Sequence, residues 1–408
     1  MRLFIWITVI LLFDWYVFQA FKIIIQNWTL PLKTAVQILY WLAPLITITF
    51  LLFSNFTDTS TWNKNVFVFL RTFVFIVYFS KFLIAGILLI DDFRRLLTWG
   101  YQAVSADNRF DAGRSRFLSQ VALFLGSVPF VSLTYGLLRN PYRYTVFREK
   151  LALKNLPEAL NGLRIIQISD IHSGSFTFKE PVREAISMIN KLKPDLVFFT
   201  GDLVNNKADE MDDFMDVFDK IEARFGVFSI FGNHDYGDYV PWPSEQHKRD
   251  NLEKLKSIHH SLGWNLLMNE NRMLEVNGAR IAVIGVENYS THLRFPKYGD
   301  LEKANRGTEG ADLKLLLSHD PSHWNGQVLT DYKDIAVTFS GHTHGMQFGI
   351  EVPGFIKWSP IQYVYKQWAG MYQSGDQYLY VNRGLGFLGY PGRVGILPEI
   401  TCLDLTPE

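Results

Sequence analysis

The sequence predicts an α/β domain preceded by a four-helix transmembrane region. Up to about residue 140 the chain holds four long apolar stretches. Beyond Asn161-Gly162, short runs of Val, Ile, Leu and Phe alternate with helix-patterned segments. Five of those short runs end in Asp, His or Asn, which places the chemistry on the second part of the chain.

Composition agrees with this division. A chain of 408 residues is long enough for two domains, and 48% hydrophobic content with 33 Phe is more than a wholly water-soluble chain of this size needs. The formal charge is zero, so there is no basic field to draw in nucleic acid, and no nucleic acid partner is expected. The single cysteine, Cys402, excludes an internal disulfide and a cysteine-based zinc cluster. Metal ligation must then rest on His, Asp, Asn and Glu.

In chain order, residues 3 to 21 can cross a bilayer with only Asp14 to accommodate. No small-x-small cleavage site follows, so a retained helix is expected rather than a cleaved signal. Residues 34 to 53 carry no charge and make a second span. A third, about 65 to 90, contains Arg71 and Lys81, which must snorkel or face other helices, where Asp14 is an available counter-charge. The fourth, about 118 to 138, is again uncharged. Trp28, Trp62 and Trp99 fall in the expected connectors, toward the interfaces that amphipathic rings prefer.

Four spans make a multi-pass cell-membrane protein with the chain start and the C-terminal domain on one side. Basic residues do not say which side. Lys22, Lys33, Arg94, Arg95, Arg109, Arg114 and Arg116 are balanced by Arg2, Lys64, Arg139, Arg143, Arg148, Lys150 and Lys154, seven against seven. Ser115-Arg116-Phe117-Leu118, directly before the fourth span, resembles a twin-arginine export signal lacking one arginine. It favours a C-terminal domain outside the cytoplasm.

Residues 141 to 160 read as a linker in which Tyr142, Tyr144 and Val146 alternate with polar residues, as in an edge strand. From 161 to 408 strands are expected at 164–169, 195–200, 227–231, 280–285, 313–318, 335–340, 377–381 and 400–405, with helices near 180–192, 209–223 and 244–261. Strand and helix alternate at first, and the later half is richer in strands.

In α/β sheets, side chains just past the strands share a crevice. Asp170 and His172 follow the first strand, Asp202 the second after Gly201, and Asn233 and His234 the third after Gly232. His319 follows Ser318, and His342 and His344 follow the run ending at Ser340. A lone histidine past a strand is commonly a hydrogen-bonded turn residue, but independent accidents scatter. Here five of ten histidines terminate strands, which points to a metal centre. His247, His259, His260, His292 and His323 fall in polar or helical stretches and are expected to be solvated.

The ordered motifs Asp-x-His, Gly-Asp, Gly-Asn-His-Asp, His and Gly-His-x-His resemble those of the calcineurin-like metallophosphoesterases over roughly residues 160 to 405. Gly341 to Gly345 and Tyr380 to Gly386 are similar to the membrane-anchored or exported bacterial branch. Met346 stands where a second glycine is common. The resemblance implies a β-sandwich flanked by helices, an αββα arrangement. It also implies two divalent ions, one on Asp170, His172, Asp202 and His344, the other on Asp202, Asn233, His319 and His342, with Asp202 bridging. Mixed nitrogen and oxygen ligands suit Mn, Fe or Zn better than Ca.

Ions about 3.5–4 Å apart would share a water, lower its pKa and aim the resulting hydroxide at the phosphorus of a phosphomonoester or phosphodiester. His234, beside the ligand Asn233, is expected to act on the leaving group rather than on metal, with Asp235 orienting it or else capping a turn. Gly384 to Gly389 match G-x-G-x-x-G, but too little chain follows for a dinucleotide fold, so this reads as a loop close to the cleft from which Arg383 could contact phosphate. The spans admit a lipid-linked substrate, including a lipid-linked nucleotide-sugar pyrophosphate. A sensor or carrier with a regulatory metal domain would rest on Arg71 and Lys81 alone.

Overall fold

A computed structural model of the chain describes residues 2–105, 112–352 and 354–408. It separates into two compact units, Met1–Tyr135 and Gly136–Glu408.

The first unit holds helices α1 (Arg2–Ile25), α2 (Leu30–Phe56), α3 (Lys64–Ser105) and most of α4 (Ala112–Arg139), each long and apolar enough to cross a membrane. Asp14 is fully buried. It is paired with Lys81, and its other oxygen accepts a hydrogen bond of 2.7 Å from the Tyr78 hydroxyl, so the charge inside α1 is met by α3. Arg71 lies on an exposed part of α3.

α3 runs 42 residues, well past the expected 65 to 90, and includes Trp99, which is therefore not in a connector. The extension is charged yet helical because Asp91 and Asp92 pair one turn on with Arg94 and Arg95, at 2.8 and 3.3 Å. Arg109 lies outside the described residues.

The second unit opens with β1 (Thr145–Leu153), then β2 (Arg164–Ile168), α5 (Lys179–Lys191) and β3 (Leu196–Phe199). There follow α6 (Met215–Phe218), β4 (Val227–Ser229), α7 (Glu245–Ser261) and β5 (Trp264–Leu266). The later half contains β6 (Glu270–Val276), β7 (Ala279–Gly285), α8 (Leu301–Asn305), β8 (Leu313–Leu317) and β9 (Val337–Ser340). It ends with the hairpin β10 (Ile350–Val352) and β11 (Ile356–Trp358), then β12 (Gly370–Ser374), β13 (Gln377–Val381) and β14 (Glu399–Pro407). The strands form two six-stranded sheets, ordered β1-β14-β2-β3-β4-β5 and β12-β13-β9-β8-β7-β6. β1 is an edge strand, paired only with β14.

The alternation of side chains along each strand builds the layers. Ile165, Phe198, Leu315 and Phe339 meet between the sheets, with the rings of Phe198 and Phe339 5.0 Å apart. Their neighbours Ile166, Val197 and Phe199 face outward onto Val182, Ile186 and Ile189 of α5 and Leu255 and Ile258 of α7. On the far side, Ile284 and Leu316 pack against Leu301 and Ala304 of α8. Two sheets with helices outside each is the αββα arrangement.

The helix expected at 209–223 breaks into a 3₁₀ turn, Ala208–Met211, and the four residues of α6. The Glu210 carboxylate accepts the backbone N–H groups of Asn205, Asn206 and Lys207 and folds the chain back on itself, and the segment is rich in Asp, a poor helix former. His259 and His323, expected in water, are fully buried. His259 sits under Trp264 with Nδ1 2.9 Å from the Ser229 hydroxyl, and His323 is held between Ser318 and Gln327.

Candidate metal centre

Strands β2, β3 and β4 are parallel neighbours in one sheet, and β8 and β9 in the other. All five send their C-terminal turns to one rim of the sandwich. The ligand atoms of Asp170, His172 and His344 lie within 4.8 Å of one another, and so do those of Asp170, Asp202 and His319. His342 joins them with Nδ1 3.3 Å from Nε2 of His319. Asn233 lines the same cleft of about 390 Å³, together with Asp202, His234, His342 and His344. The seven side chains expected as ligands are thus brought together.

The backbone is strained where it delivers them. Asp170, His172, Asp202, His342 and His344 all have positive φ, between 48° and 70°. Each such residue costs about 1–3 kcal/mol, and strain of this kind gathers at functional sites. Gly201 and Gly232 let two turns touch: a Cβ on Gly201, at φ +97°, would stand 2.8 Å from Cα of Gly232.

Hydrogen bonds behind the cluster decide which atoms face inward. His319 Nδ1 lies 2.7 Å from the Thr200 carbonyl, so it carries the proton and Nε2 turns to Asp202, 3.2 Å away. The Tyr365 hydroxyl donates to Asp320 at 3.0 Å and must therefore accept from Nε2 of His342 at 2.9 Å, which leaves His342 Nδ1 bare toward the cluster. The amide nitrogen of Asn233 donates to the Tyr239 hydroxyl at 2.9 Å, while its buried Oδ1 has no partner. His172 and His344 approach Nε2 to Nε2 at 3.1 Å.

Burial draws His172 down to about 3, so its imidazole is neutral at physiological pH. For His319 burial also pulls downward, but the Asp202 carboxylate overrides it and raises the group to about 10. Bare nitrogens, an orphaned amide oxygen and two carboxylates aimed at one buried volume fit divalent cations.

A sequence profile described as "Calcineurin-like phosphoesterase" matches residues 163–346, and one described as "Probable Calcineurin-like phosphoesterase, transmembrane domain" matches residues 1–141. The "Uncharacterized metallophosphoesterase YkuE" of Bacillus subtilis is 31% identical over 277 residues, 66% of this chain and 89% of its own length. The chain belongs to the calcineurin-like phosphoesterases. A "Transmembrane protein with metallophosphoesterase domain" of Danio rerio is 31% identical over 284 residues, 67% of this chain, and one of Bos taurus is 29% identical over 282 residues, 66% of this chain. The matches span 60% and 59% of those two vertebrate proteins. The chain is accordingly a membrane-linked metallophosphoesterase with an Asp/His cluster able to hold metal.

Two residues of this phosphoesterase differ from expectation. Arg383 does not face the cleft. It is buried, with Nε and Nη2 on Glu351 at 2.9 and 2.5 Å and Nη1 on Glu399 at 2.5 Å, because a guanidinium out of water needs its charge matched. The glycine loop itself does pack behind the centre, through Leu385 and Gly386 N–H groups donating to the Ser169 and Asp170 carbonyls at 2.8 and 2.9 Å.

Asp235 does not orient His234. It accepts the N–H groups of Gly232, Asp202 and Leu203, each at 2.8 Å, and so ties the β3 and β4 turns together. His234 is oriented instead by the Asn205 carbonyl, 2.8 Å from Nδ1. Asp320 was not among the expected site residues, although its place beside His319 was a signal that could have found it. Tyr365, Tyr239 and Arg294, which also lines the cleft, carried no signal in the sequence.

Proposed function

We propose that this chain is a membrane-anchored phosphoesterase that holds two divalent cations, Mn, Fe or Zn, and hydrolyses a phosphomonoester or phosphodiester. The supporting observation is the convergence of seven side chains from five strand ends on one cluster, four of them lining the cleft, with a histidine at its edge that needs no metal to be oriented. Asp170, His172, Asp202 and His344 would hold one cation, and Asp202, Asn233, His319 and His342 the other. Bound there, the pair would lower the pKa of a water and offset the charge of the phosphate oxygens.

His234 is the acid. Its Nδ1–H is engaged by Asn205, so Nε2 faces the cleft, and in the imidazolium form it is the Nε2 proton that passes to the leaving oxygen, leaving the neutral ring behind. As the P–O bond to that oxygen breaks, the oxygen of water forms the new bond to phosphorus and its proton passes to solvent. Arg294, exposed on the cleft wall, takes the phosphate contact first assigned to Arg383. The catalytic unit lies outside the cytoplasm in this reading, which rests on the export-like Ser115 to Leu118. Lys81 is already matched by Asp14, which removes half of the support for a sensor or carrier.

The test uses the full chain in detergent, loaded in turn with Mn, Fe or Zn, against phosphomonoesters, phosphodiesters and pyrophosphates. Hydrolysis of an ester that is lost in His234→Ala is the expected result. Absence of turnover on every class with every cation would sink the proposal, and turnover confined to pyrophosphates would replace the ester with an anhydride.

A further inference from the structure

More than half of the exposed large apolar side chains of the second unit's sandwich come from one short segment. Seven of the twelve large apolar side chains exposed among the described residues from Thr145 onward fall between positions 346 and 364. The hairpin contributes Ile350, Val352, Phe355 and Ile356, and the turn after it Tyr363 and Val364, with Phe355 88% and Tyr363 78% exposed. Soluble surfaces seldom keep such a patch without something to cover it.

The segment has two charged residues, and both are engaged by the fold. Glu351 binds Arg383, and the Lys357 ammonium bonds the Ala369 carbonyl and lies 5.2 Å over the Trp368 ring. The patch runs into the cleft: Ile361 and Val364 of the same segment line it, together with Phe295, His234 and His342. Exposed cations, Arg294 on the cleft wall and Lys366 just beyond Val364, flank this apolar side.

What covers the patch follows from the covalent chain. The last membrane-crossing helix ends at Arg139 and β1 begins at Thr145, so five residues tie the catalytic unit to the bilayer. Even fully extended they reach about 18 Å. An apolar hairpin flanked by cations, on a unit that cannot leave the membrane surface, matches the boundary between anionic head groups and acyl chains.

We propose that the β10–β11 hairpin and the Tyr363-Val364 turn dip into that boundary, and that the cleft takes a lipid phosphate, a phosphoester whose alcohol bears a long apolar chain. The substrate half rests on the phosphoesterase reading above, whereas the membrane contact does not. The phosphate sits at the cation cluster and Arg294, and the chain leaves along Phe295, Ile361 and Val364 into the bilayer.

Two measurements on the full chain in nanodiscs holding one copy each test it. In the first, Phe355→Cys on a Cys402→Ser background carries an environment-sensitive NBD label, with Glu253→Cys on α7 as the control. Blue-shifted emission at 355 and aqueous emission at 253 are expected. Aqueous emission at 355 overturns the membrane contact, and because each disc holds a single copy, a patch used only for dimerisation would give that result.

In the second, Mn-loaded protein is given matched ethyl and dodecyl esters, as alkyl phosphates and as alkyl p-nitrophenyl phosphates. The dodecyl ester should show a KM at least about tenfold lower than the ethyl ester, and Phe355→Glu should raise the dodecyl KM with little change in kcat. Equal KM for both chain lengths, or an equal loss on both in Phe355→Glu, overturns the substrate assignment while leaving the phosphoesterase standing. Hydrolysis of neither ester overturns the phosphoesterase reading instead, and the label still decides the membrane contact.

Discussion

In the half of the cluster built on Asn233, His319 and His342, each side chain is gripped from behind, by the Tyr239 hydroxyl, the Thr200 carbonyl and the Tyr365–Asp320 pair respectively. In the half built on His172 and His344, the two Nε2 atoms face each other and both Nδ1 atoms are buried without a hydrogen-bond partner. The first half is pre-organised by hydrogen bonds that fix tautomer and ring angle. The second has carboxylates at its Nε2 atoms, with Asp170 3.2 Å from His344, but no hydrogen bond behind either ring. Asp202 contacts both halves, 3.5 Å from His172 and 3.2 Å from His319. The two cations proposed for such different frames should differ in how firmly they stay.

The largest expected effect removes the shared carboxylate. Asp202→Ala should lose both cations and at least about a thousandfold in turnover, read by elemental analysis and phosphate release. His234→Ala, beside the cluster but outside the ligand set, should keep its metal and lose about 10²–10⁴ in kcat. Equal metal loss in the two variants would erase the distinction between ligand and acid.

A smaller effect sharpens the contrast between the halves. Tyr365→Phe leaves the ring in place but removes the acceptor that keeps the proton on His342 Nε2. It should weaken one cation by about 10–100-fold and leave the other unchanged, as resolved by manganese titration. A matching loss at both positions would mean that the halves are not independent.

Much of this was legible in the chain because apolar strands followed by Asp, His or Asn are local patterns. Asp170, His172, Asp202, Asn233, His319, His342 and His344 could be named from what precedes them, and the eight strands expected in the second unit are all present within a few residues. Direction was not legible. Asn-His-Asp places Asp235 beside His234 in sequence, but the turn aims its carboxylate backward at the Gly232 and Asp202 N–H groups. Arg383 next to a glycine-rich loop looked like a phosphate ligand until Glu351, on a hairpin the sequence did not reveal, closed over it. Tyr365 acts across 23 residues on His342, a distance at which no pattern constrains a contact.

The smallest expected effect separates what burial does from what metal does. His172 and His259 are both drawn down to about 3 by burial, but only His172 has carboxylates around it. An unfolded chain takes up the proton on His259 near pH 6.5, whereas the folded protein refuses it until about pH 3. Between those values the unfolded state binds more protons, so stability is full above about 6.5 and falls as pH drops. The limiting slope is about 1.4 kcal/mol per pH unit for each such group. Thermal unfolding of the metal-free protein should show this decline. His259→Phe, which keeps a ring against Phe199, Phe231 and Trp264, should make it shallower by one group's share. If the slope below pH 6.5 is the same in the variant, the acid sensitivity belongs to the cluster or to buried His323, which burial draws down to about 4, and suppression by added Mn in both proteins would assign it to the cluster.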